Sequence, residues 1–326
     1  MSEAWRLDGP GDATAFRRVT RPLPETKPGW ALVKVLAFGL NRSELFSRRG
    51  MSSPDFSFPR VLGLECAGVV LDPSDTGLAS GTRVMCMMGG MGRSFDGGYA
   101  SHVIAPRSQI FVADNALSDA DFGAIPETYN TAWGVTEAVP AGAGDKVLVR
   151  AATSALGMAV TSILADRGCE VIGTTRNPNK VAVLQDRSAL TAVVLDGEDF
   201  AARVVADHGP MQAVVDGVGS KAAIESSCAT MPDGGHVQMV GQLAESWGTE
   251  DRPVFPEGIT QGFTRSDLVQ APRDEPWLAE IVRRVEAGRY SPNIHETFPF
   301  SDLPRAHQVM ERNEAVGKLV VLGPQG

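Results

Sequence analysis

The sequence predicts an α/β protein with two domains, and three observations support this prediction. The chain has 326 residues, which is more than a single hydrophobic core usually serves. Residues 1–122 contain short apolar runs separated by Gly and Pro, a pattern typical of a β-rich, barrel-like domain. From about residue 123, strand-like and helix-like runs alternate, which is typical of a parallel sheet with helical connections.

Strand-like segments dominate the first region. They are WALVKVLAFG (30–39), AGVVLDP (67–73), TRVMCMM (82–88) and YASHVIAP (99–106). The second region has buried-strand patterns at KVLVRAA (146–152), EVIGTT (170–175), TAVVLD (191–196), QAVVDGV (212–218) and HVQMVGQ (236–242). Each is followed by a helix or a turn, as expected of a doubly wound sheet.

The C-terminal part has its own order of elements. Its residue pattern predicts a helix at Glu275–Ala287, a strand at Glu296–Phe300, a helix at Ser301–Asn313 and a strand at Lys318–Leu322. We expect these elements to return to the first domain. The predicted domains are therefore 1–122 together with 265–326, and 123–264.

The most informative stretch is 146–180, where the strand Lys146–Arg150 leads through a tight turn into an apolar helix. In the GxGxxG fingerprint the first glycine makes the turn, the second admits a pyrophosphate and the third lets helix meet strand. Small residues, Ala152, Ser154 and Gly157, occupy these places. We predict a Rossmann-type dinucleotide site here, with the phosphates bound by Thr153, Ser154, Ala155, Leu156 and Gly157.

The end of the second strand indicates which dinucleotide is bound. An Asp or Glu is expected there when the cofactor's ribose carries a free 2′-hydroxyl. The chain instead has Thr174, Thr175 and Arg176, followed by Lys180. Two cations and two hydroxyls favour a 2′-phosphate, so we predict NADPH, preferred over NADH by about one to two orders of magnitude. The alternative is that Arg176 and Lys180 are ordinary solvated charges.

Composition excludes several classes of function. The net charge is −9, and the absence of a clustered basic stretch argues against nucleic acid or an anionic membrane as a partner. The N-terminus lacks the pattern of a signal peptide and no run of about 18 apolar residues is present, so a cytoplasmic location is expected. The four cysteines form no CxxC pair and the five histidines no HExxH motif, so no metal site is predicted.

The order of several motifs resembles the medium-chain dehydrogenase/reductase superfamily, and within it the zinc-free quinone oxidoreductase and enoyl reductase branch. The matching stretches are VKVLAFGLNRSEL, GLECAGVV, GTRVM, GGYASHVIAP, IPETYNTAWGVT, GDKVLVRAATSALGMAV, VVDGVG and VGKLVVL. The resemblance covers nearly the whole chain and implies that the β-rich domain is GroES-like. It also implies a homodimer.

The resemblance also indicates the type of reaction. Asn41, Leu64 and Glu127 stand where zinc alcohol dehydrogenases of this superfamily carry their metal ligands. Leucine cannot coordinate, and Asn with Glu makes a poor zinc site. Hydride addition to an enone, an enoyl group or a quinone needs only hydrogen bonds to the developing oxyanion, so conjugate reduction of a small hydrophobic substrate is predicted. A zinc-free carbonyl reductase and a non-catalytic, crystallin-like NADPH-binding protein are the alternatives.

Three residues are candidate catalytic groups. By resemblance Asn41 lies beside the nicotinamide, where its amide could donate two hydrogen bonds to an oxyanion; the alternative is a turn Asn bonded to its own backbone. Tyr129 could supply a proton, or could be a buried packing residue. Ser43 matches the proton-relaying Ser or Thr of the zinc enzymes, with a local cap as the alternative. Phe46 departs from the Tyr found in many relatives, while Glu65 could orient Asn41 or be a buried, paired structural residue.

The remaining predicted cofactor contacts are implied by the resemblance. Thr131 is a candidate for the nicotinamide carboxamide. Val218, Gly241 and Gln242, which follow later strands, are expected to line the nicotinamide ring and ribose. Lys318 is expected near the cofactor, with a surface lysine as the alternative.

Overall fold

The computed structural model describes residues 1–52, 54, 56–241 and 252–324. Its strands are β1 (Ser2–Leu7), β2 (Arg17–Arg21), β3 (Trp30–Gly39), β4 (Arg60–Val61), β5 (Glu65–Asp72), β6 (Arg83–Met87), β7 (His102–Pro106), β8 (Ile110–Val112), β9 (Lys146–Arg150), β10 (Glu170–Thr175), β11 (Ala192–Leu195), β12 (Ala213–Asp216), β13 (His236–Met239), β14 (Thr260–Phe263), β15 (Ile294–Phe298) and β16 (Lys318–Leu322). Its helices are α1 (Ser43–Arg48), α2 (Asp119–Ala124), α3 (Pro126–Ala138), α4 (Ala155–Asp166), α5 (Val181–Arg187), α6 (Phe200–His208), α7 (Lys221–Cys228), α8 (Glu275–Glu286) and α9 (Leu303–Glu311). None of these helices is long and apolar enough to cross a membrane.

The chain divides into two compact units. Unit 1 comprises residues 1–130, 266–288 and 294–326, and unit 2 comprises residues 131–265 and 289–293. The sequence placed the first boundary at 122/123, whereas the division between the units falls inside α3. A continuous helix gives no turn signal in the sequence, so a boundary within it has no local marker.

Unit 1 is the β-rich domain. Its larger sheet has seven strands in the order β15-β16-β3-β5-β6-β8, with β7 also paired to β3, and a second sheet has the order β2-β1-β4. Alternation along β3 buries Val33 and Val35 in a core that also contains Phe38, Tyr99 and Phe298. The predicted return of the C-terminal segment is seen here, because β16 pairs antiparallel with β3.

Unit 2 is a parallel six-stranded sheet in the order β11-β10-β9-β12-β13-β14. This is the doubly wound order in which the sheet is built outwards in both directions from its first strand, and it confirms the predicted Rossmann-type fold. Leu148, Ile172 and Val214 pack with Phe200 and Val204 of α6. The edge strand β14 was not predicted, because its four residues TQGF are largely exposed and carry no apolar run.

Candidate functional site

The turn after β9 forms a cradle of backbone groups in unit 2. Ala151 has a left-handed φ of 58°, so it makes the sharp turn that the sequence analysis assigned to Ala152. Ser154 caps α4: its Oγ accepts from the Gly157 N–H at 3.0 Å and donates to the Ala151 carbonyl at 2.9 Å. A Cβ on Gly157 would lie 2.7 Å from that carbonyl oxygen, so only glycine lets helix and turn approach this closely.

The first turn of α4 therefore offers main-chain donors to an anion. Ala155 and Leu156 lie at its start, where helical N–H groups lack intrahelical acceptors. The hydroxyl of Ser154 is committed to the cap, so it adds less to phosphate binding than the sequence suggested. Thr153 is half-buried in the turn itself.

The end of β10 adjoins this turn, because the Ala152 N–H donates to the Thr174 carbonyl at 3.1 Å. Thr174 and Thr175 are buried, and the Thr175 hydroxyl accepts from the Asn177 N–H at 3.2 Å. Arg176 is exposed immediately after the strand, and Lys180 is half-buried at the end of the following single turn of helix. Of the four residues predicted to hold a 2′-phosphate, Arg176 is the one whose side chain is most open to solvent.

A buried charge network joins the carboxyl ends of three strands of unit 2. Arg150, at the end of β9, is 3% exposed and pairs with Asp196 at 2.6 Å, and it also donates to Ser227 at 3.0 Å. Asp216, at the end of β12, accepts from the N–H groups of Val218 and Gly219. The sequence analysis did not predict this network. The signal for it was a charged residue at or just after the carboxyl end of each of three apolar strands.

The other predicted cofactor residues lie at the same edge of the sheet or in α3. Val218 follows β12 and is half-buried, and Gly241 follows β13 with a φ of 73°. Thr131 is 5% exposed within α3. Gln242 lies outside the described residues.

In unit 1, Asn41 forms a buried triad with Glu65 and Lys318. The Asn41 Nδ2 donates to Glu65 Oε1 at 2.8 Å, and the ammonium of Lys318 donates to Asn41 Oδ1 at 2.9 Å and to Glu65 Oε1 at 2.7 Å. One of the two amide N–H groups is thus already used, so Asn41 has one donor left rather than the two expected. Lys318 is 2% exposed, which excludes the surface lysine considered for this position.

A second buried chain of polar groups starts at Glu44. Its carboxylate accepts from the N–H groups of Asn41 and Leu64 and from the hydroxyl of Tyr99, and the Tyr99 oxygen lies 3.0 Å from His307 Nε2. Burial raises the pKa of Glu44 to about 7, although three hydrogen bonds oppose the rise. Burial also lowers the pKa of His307 well below its usual range, with the Arg48 charge acting in the same direction.

The other candidates differ in accessibility. Tyr129 is completely buried, whereas Ser43 and Phe46 are half-buried at the start of α1 and line a common cavity. Glu65 also accepts from the Glu127 N–H at 2.7 Å, so it both orients Asn41 and is a paired, buried residue. Met88 and Met91, in the loop after β6, are buried core residues.

The residues at the zinc-ligand positions do not fit a zinc ion. Leu64 offers no donor atom, and the oxygen of Asn41 already faces the ammonium of Lys318, a cation that would repel a metal. Among the described residues, no cluster of three or more His, Cys, Asp or Glu side chains could hold a metal.

Two family models match the chain. One, described as zinc-binding dehydrogenase, matches residues 190–321, and the other, described as alcohol dehydrogenase GroES-like domain, matches residues 27–115. Between them they cover parts of both units.

Similar proteins include parts of large synthases and stand-alone chains. The spectinabilin polyketide synthase system protein NorB of Streptomyces orinoci is 30% identical over 98% of this chain, which spans 14% of that protein. The zinc-type alcohol dehydrogenase-like protein C337.11 of Schizosaccharomyces pombe is 26% identical, covering 82% of this chain and 80% of that protein. A probable quinone oxidoreductase of the same yeast is 24% identical, covering 96% and 94%.

Solved structures share the fold over nearly the whole chain. AibC superposes with a TM-score of 0.85 at 25% identity, covering 99% of this chain and 96% of that one. A quinone oxidoreductase of Pseudomonas syringae gives 0.85 at 20% identity, covering 99% and 100%. A mycobacterial protein solved with NADPH gives 0.81 at 24% identity, covering 99% and 100%. The last two likenesses concern the fold alone.

Proposed function

The chain belongs to the medium-chain dehydrogenase/reductase superfamily, and from that premise we propose an NADPH-dependent oxidoreductase that reduces an activated C=C bond or a quinone without zinc. NADPH supplies the hydride when it is bound. The main support for the proposal is the hydrogen bonding of the Asn41 amide. Glu65 and Lys318 fix its orientation, and one of its two N–H groups is left to donate to a substrate.

Unit 2 supplies the features suited to the dinucleotide. The main-chain donors at the start of α4 suit a diphosphate, and Gly157 lets the helix approach the turn. The exposed guanidinium of Arg176 suits a 2′-phosphate, and no carboxylate occupies positions 174–176 to repel it. These features support NADPH over NADH.

The orientation of Asn41 follows from the chemistry of its two partners. An ammonium can only donate, so Lys318 fixes the amide oxygen; an ionised carboxylate can only accept, so Glu65 fixes the amide nitrogen. The second N–H of Asn41 then donates to the oxygen of the substrate as negative charge develops there. A donor held in place before the reaction costs no reorganisation during it, which is the basis of oxyanion stabilisation.

Tyr129 and Ser43 are the candidates for delivering a proton to the reduced product. A donor must come within about 3 Å of the atom that it protonates. Ser43 lines a cavity, whereas the Tyr129 side chain is completely buried, which favours Ser43 or solvent. Loss of turnover in Tyr129→Phe with the fold intact would restore Tyr129 as the donor.

A substrate panel tests the proposed reaction. Purified protein is incubated with NADPH and matched enones, enals, quinones and saturated ketones, in the presence and absence of EDTA, and loss of NADPH absorbance is followed. We expect turnover of the conjugated substrates, little with the ketones, and no effect of EDTA. Turnover confined to ketones would favour a carbonyl reductase, and tight NADPH binding with no oxidation across the panel would favour a binding protein.

Replacement of Asn41 by Ala tests its role directly. Loss of one oxyanion donor lowers turnover by about tenfold or more, up to about 10²–10³, while the Kd for NADPH is unchanged. Steady-state kinetics and a fluorescence titration of NADPH measure the two quantities. Unchanged turnover would remove Asn41 from the mechanism.

We also infer a homodimer formed through β14. This strand ends the sheet order of unit 2, and Phe263 on it is 51% exposed. Light scattering coupled to size-exclusion chromatography would report the mass, and a monomer at micromolar concentration would contradict the inference.

A further inference from the structure

Unit 1 contains a cavity of about 330 Å³, and one of its lining residues, Ser43, lies two positions after Asn41 in the sequence. It is lined by Ser43, Phe46, Ser47, Met51, Ser52 and Arg93. This lining combines three hydroxyl groups and one cation with two apolar side chains. Small-molecule sites have this composition, in which a few polar groups orient a largely apolar ligand.

Arg93 differs from the other partly enclosed arginines. Six arginines have a buried Nε atom that makes no hydrogen bond of good geometry; they are Arg6, Arg21, Arg60, Arg83, Arg93 and Arg150. Five of these guanidinium groups form ion pairs, with Asp8, Asp96, Asp96, Asp119 and Asp196 respectively. Among the described residues no carboxylate pairs with Arg93, so its charge is partly enclosed and uncompensated.

The arginines within α1 and at its two ends already have hydrogen-bond or ion-pair partners. Arg42 donates to Asn313, and both Arg48 and Arg49 pair with Glu311. Among the residues that line the cavity, Arg93 is the one that carries a positive charge.

The backbone holds Arg93 in place. Met88, Gly89, Gly90 and Gly92 all have left-handed φ values, which makes the preceding loop tightly curled. A Cβ on Gly92 would lie 2.8 Å from the Gly63 carbonyl oxygen, so the loop packs closely on the segment before β5. The Arg93 N–H donates to the Gly90 carbonyl at 3.0 Å. The backbone position from which the Arg93 side chain extends is thus set by packing.

The serines provide hydroxyl donors on the wall of the same cavity. Ser47 Oγ lies 3.1 Å from Ser52 Oγ, and Ser43 is the first residue of α1. Each hydroxyl can rotate to donate to an anionic oxygen. Phe46 and Met51 leave an apolar wall for the rest of the ligand.

We propose that this cavity is a subsite for a carboxylate group of the substrate, which pairs with Arg93 and accepts hydrogen bonds from the serines. One guanidinium and neutral hydroxyls match the single charge of a carboxylate better than the double charge of a phosphate. The proposal rests on the proposed function and narrows it: the natural acceptor is an enone or quinone that carries a carboxylate.

A matched pair of substrates tests this subsite. With NADPH, 3-benzoylacrylate and its methyl ester present the same enone with and without the charge. We expect the wild-type kcat/KM to favour the carboxylate by roughly tenfold to a hundredfold, mainly through KM. Arg93→Met should abolish this preference while activity on the ester changes less than about threefold. Equal use of the two compounds by the wild type, or a preference that persists in Arg93→Met, would overturn the proposal.

Two further variants control for charge and folding. Arg17→Met removes an exposed arginine of unit 1 whose side chain is 73% accessible, so it makes the same change in net charge and should keep the preference. Arg93→Lys keeps the charge but loses the planar fork, so an intermediate preference is expected. If Arg93→Met does not fold, Arg93→Lys decides: an unchanged preference for the carboxylate over the ester would reject pairing through the guanidinium.

Binding separates this proposal from the reaction itself. The saturated acid 3-benzoylpropionate and its methyl ester bind without turnover, and calorimetry gives both affinities. If no enone is reduced but the acid still binds tenfold tighter than the ester in wild type and not in Arg93→Met, the subsite stands and the proposed reaction fails. Equal affinities of acid and ester in the wild type would reject the subsite whatever the activity.

Discussion

A single ammonium group determines what Asn41 can do. Lys318 and Glu65 fix both ends of the Asn41 amide inside unit 1, and all three side chains are at least nine-tenths buried. A buried carboxylate is tolerated only when its charge is compensated. Lys318 is thus needed both for the stability of the triad and for the direction of the remaining amide N–H.

Replacement of Lys318 by Met should therefore be costly. It leaves Glu65 buried with hydrogen bonds but no countercharge, and we expect the free energy of unfolding to fall by about 3–5 kcal/mol. Urea denaturation measures the change. In the double variant Glu65→Gln/Lys318→Met the uncompensated charge is gone, so part of the loss should be recovered; a strictly additive double variant would contradict the pairing.

The pH dependence of stability reports on Glu44. Its pKa is about 7 in the folded protein, against 4.5 for an ordinary Glu, so the folded state holds this proton when the unfolded state has released it. Stability contributed by the protonated group is complete below pH 4.5 and is lost as the pH rises towards 7. His307 opposes this trend, because its lowered pKa makes the unfolded state bind the extra proton at acidic pH.

Glu44→Gln isolates the contribution of Glu44 from that of His307. We expect the difference in unfolding free energy, wild type minus variant, to decrease between pH 4.5 and 7. Its slope should be no steeper than about 1.4 kcal/mol per pH unit, the limit for one proton. The charges of Glu65 and Arg48 and the phenol of Tyr99 are present in both the wild type and Glu44→Gln, so the difference between the two proteins reports on Glu44. Parallel curves for the two proteins would contradict a raised pKa.

At the level of elements, the turn from β9 to α4 contains local strain. Ala151 takes a left-handed conformation that costs an L-residue about 1–2 kcal/mol. Gly157 avoids a clash with the carbonyl oxygen of that same residue. The chain thus uses glycine where helix and turn touch, and alanine where the backbone bends.

Ala151→Gly should relieve this strain. We expect the unfolding free energy to rise by about 1 kcal/mol, because glycine adopts the left-handed region freely. Ala152→Gly is the matched control: that residue is fully buried and not left-handed, so glycine there should destabilise by a similar amount. The denaturation midpoints of both variants measure these changes in stability. Destabilisation by Ala151→Gly would show that the contacts of the Ala151 methyl group contribute more to stability than its left-handed φ costs.

The whole molecule consists of two units with separate cores, and a ligand of unit 2 should stabilise the chain by linkage. At 100 times its Kd, NADPH is expected to add about 2.7 kcal/mol to the unfolding free energy of the state that binds it. At equal concentrations NADH should add less. Arg176→Ala should reduce the stabilisation by NADPH and leave that by NADH unchanged, as measured by thermal shift; equal effects on both would remove Arg176 from the recognition of the 2′-phosphate.

The sequence by itself determined the doubly wound sheet, the β-rich unit, the bounds of β16 and the turn before α4. Each depends on short-range patterns: apolar runs, small residues at a turn and the alternation of strands with helices. Asn41 and Glu65 were also found as candidates, because they stand at positions that a family motif marks.

Only the tertiary structure decided how these side chains are paired. Lys318 is 277 positions from Asn41 along the chain, and Tyr99 is 208 positions from His307, so no local pattern relates them. The same holds for Arg93, which pairs with no carboxylate of the described residues, and for the network around Arg150. Partners, burial and the pKa values that follow from them depend on which distant strands lie side by side, and the pairing of β16 with β3 fixes that for Asn41.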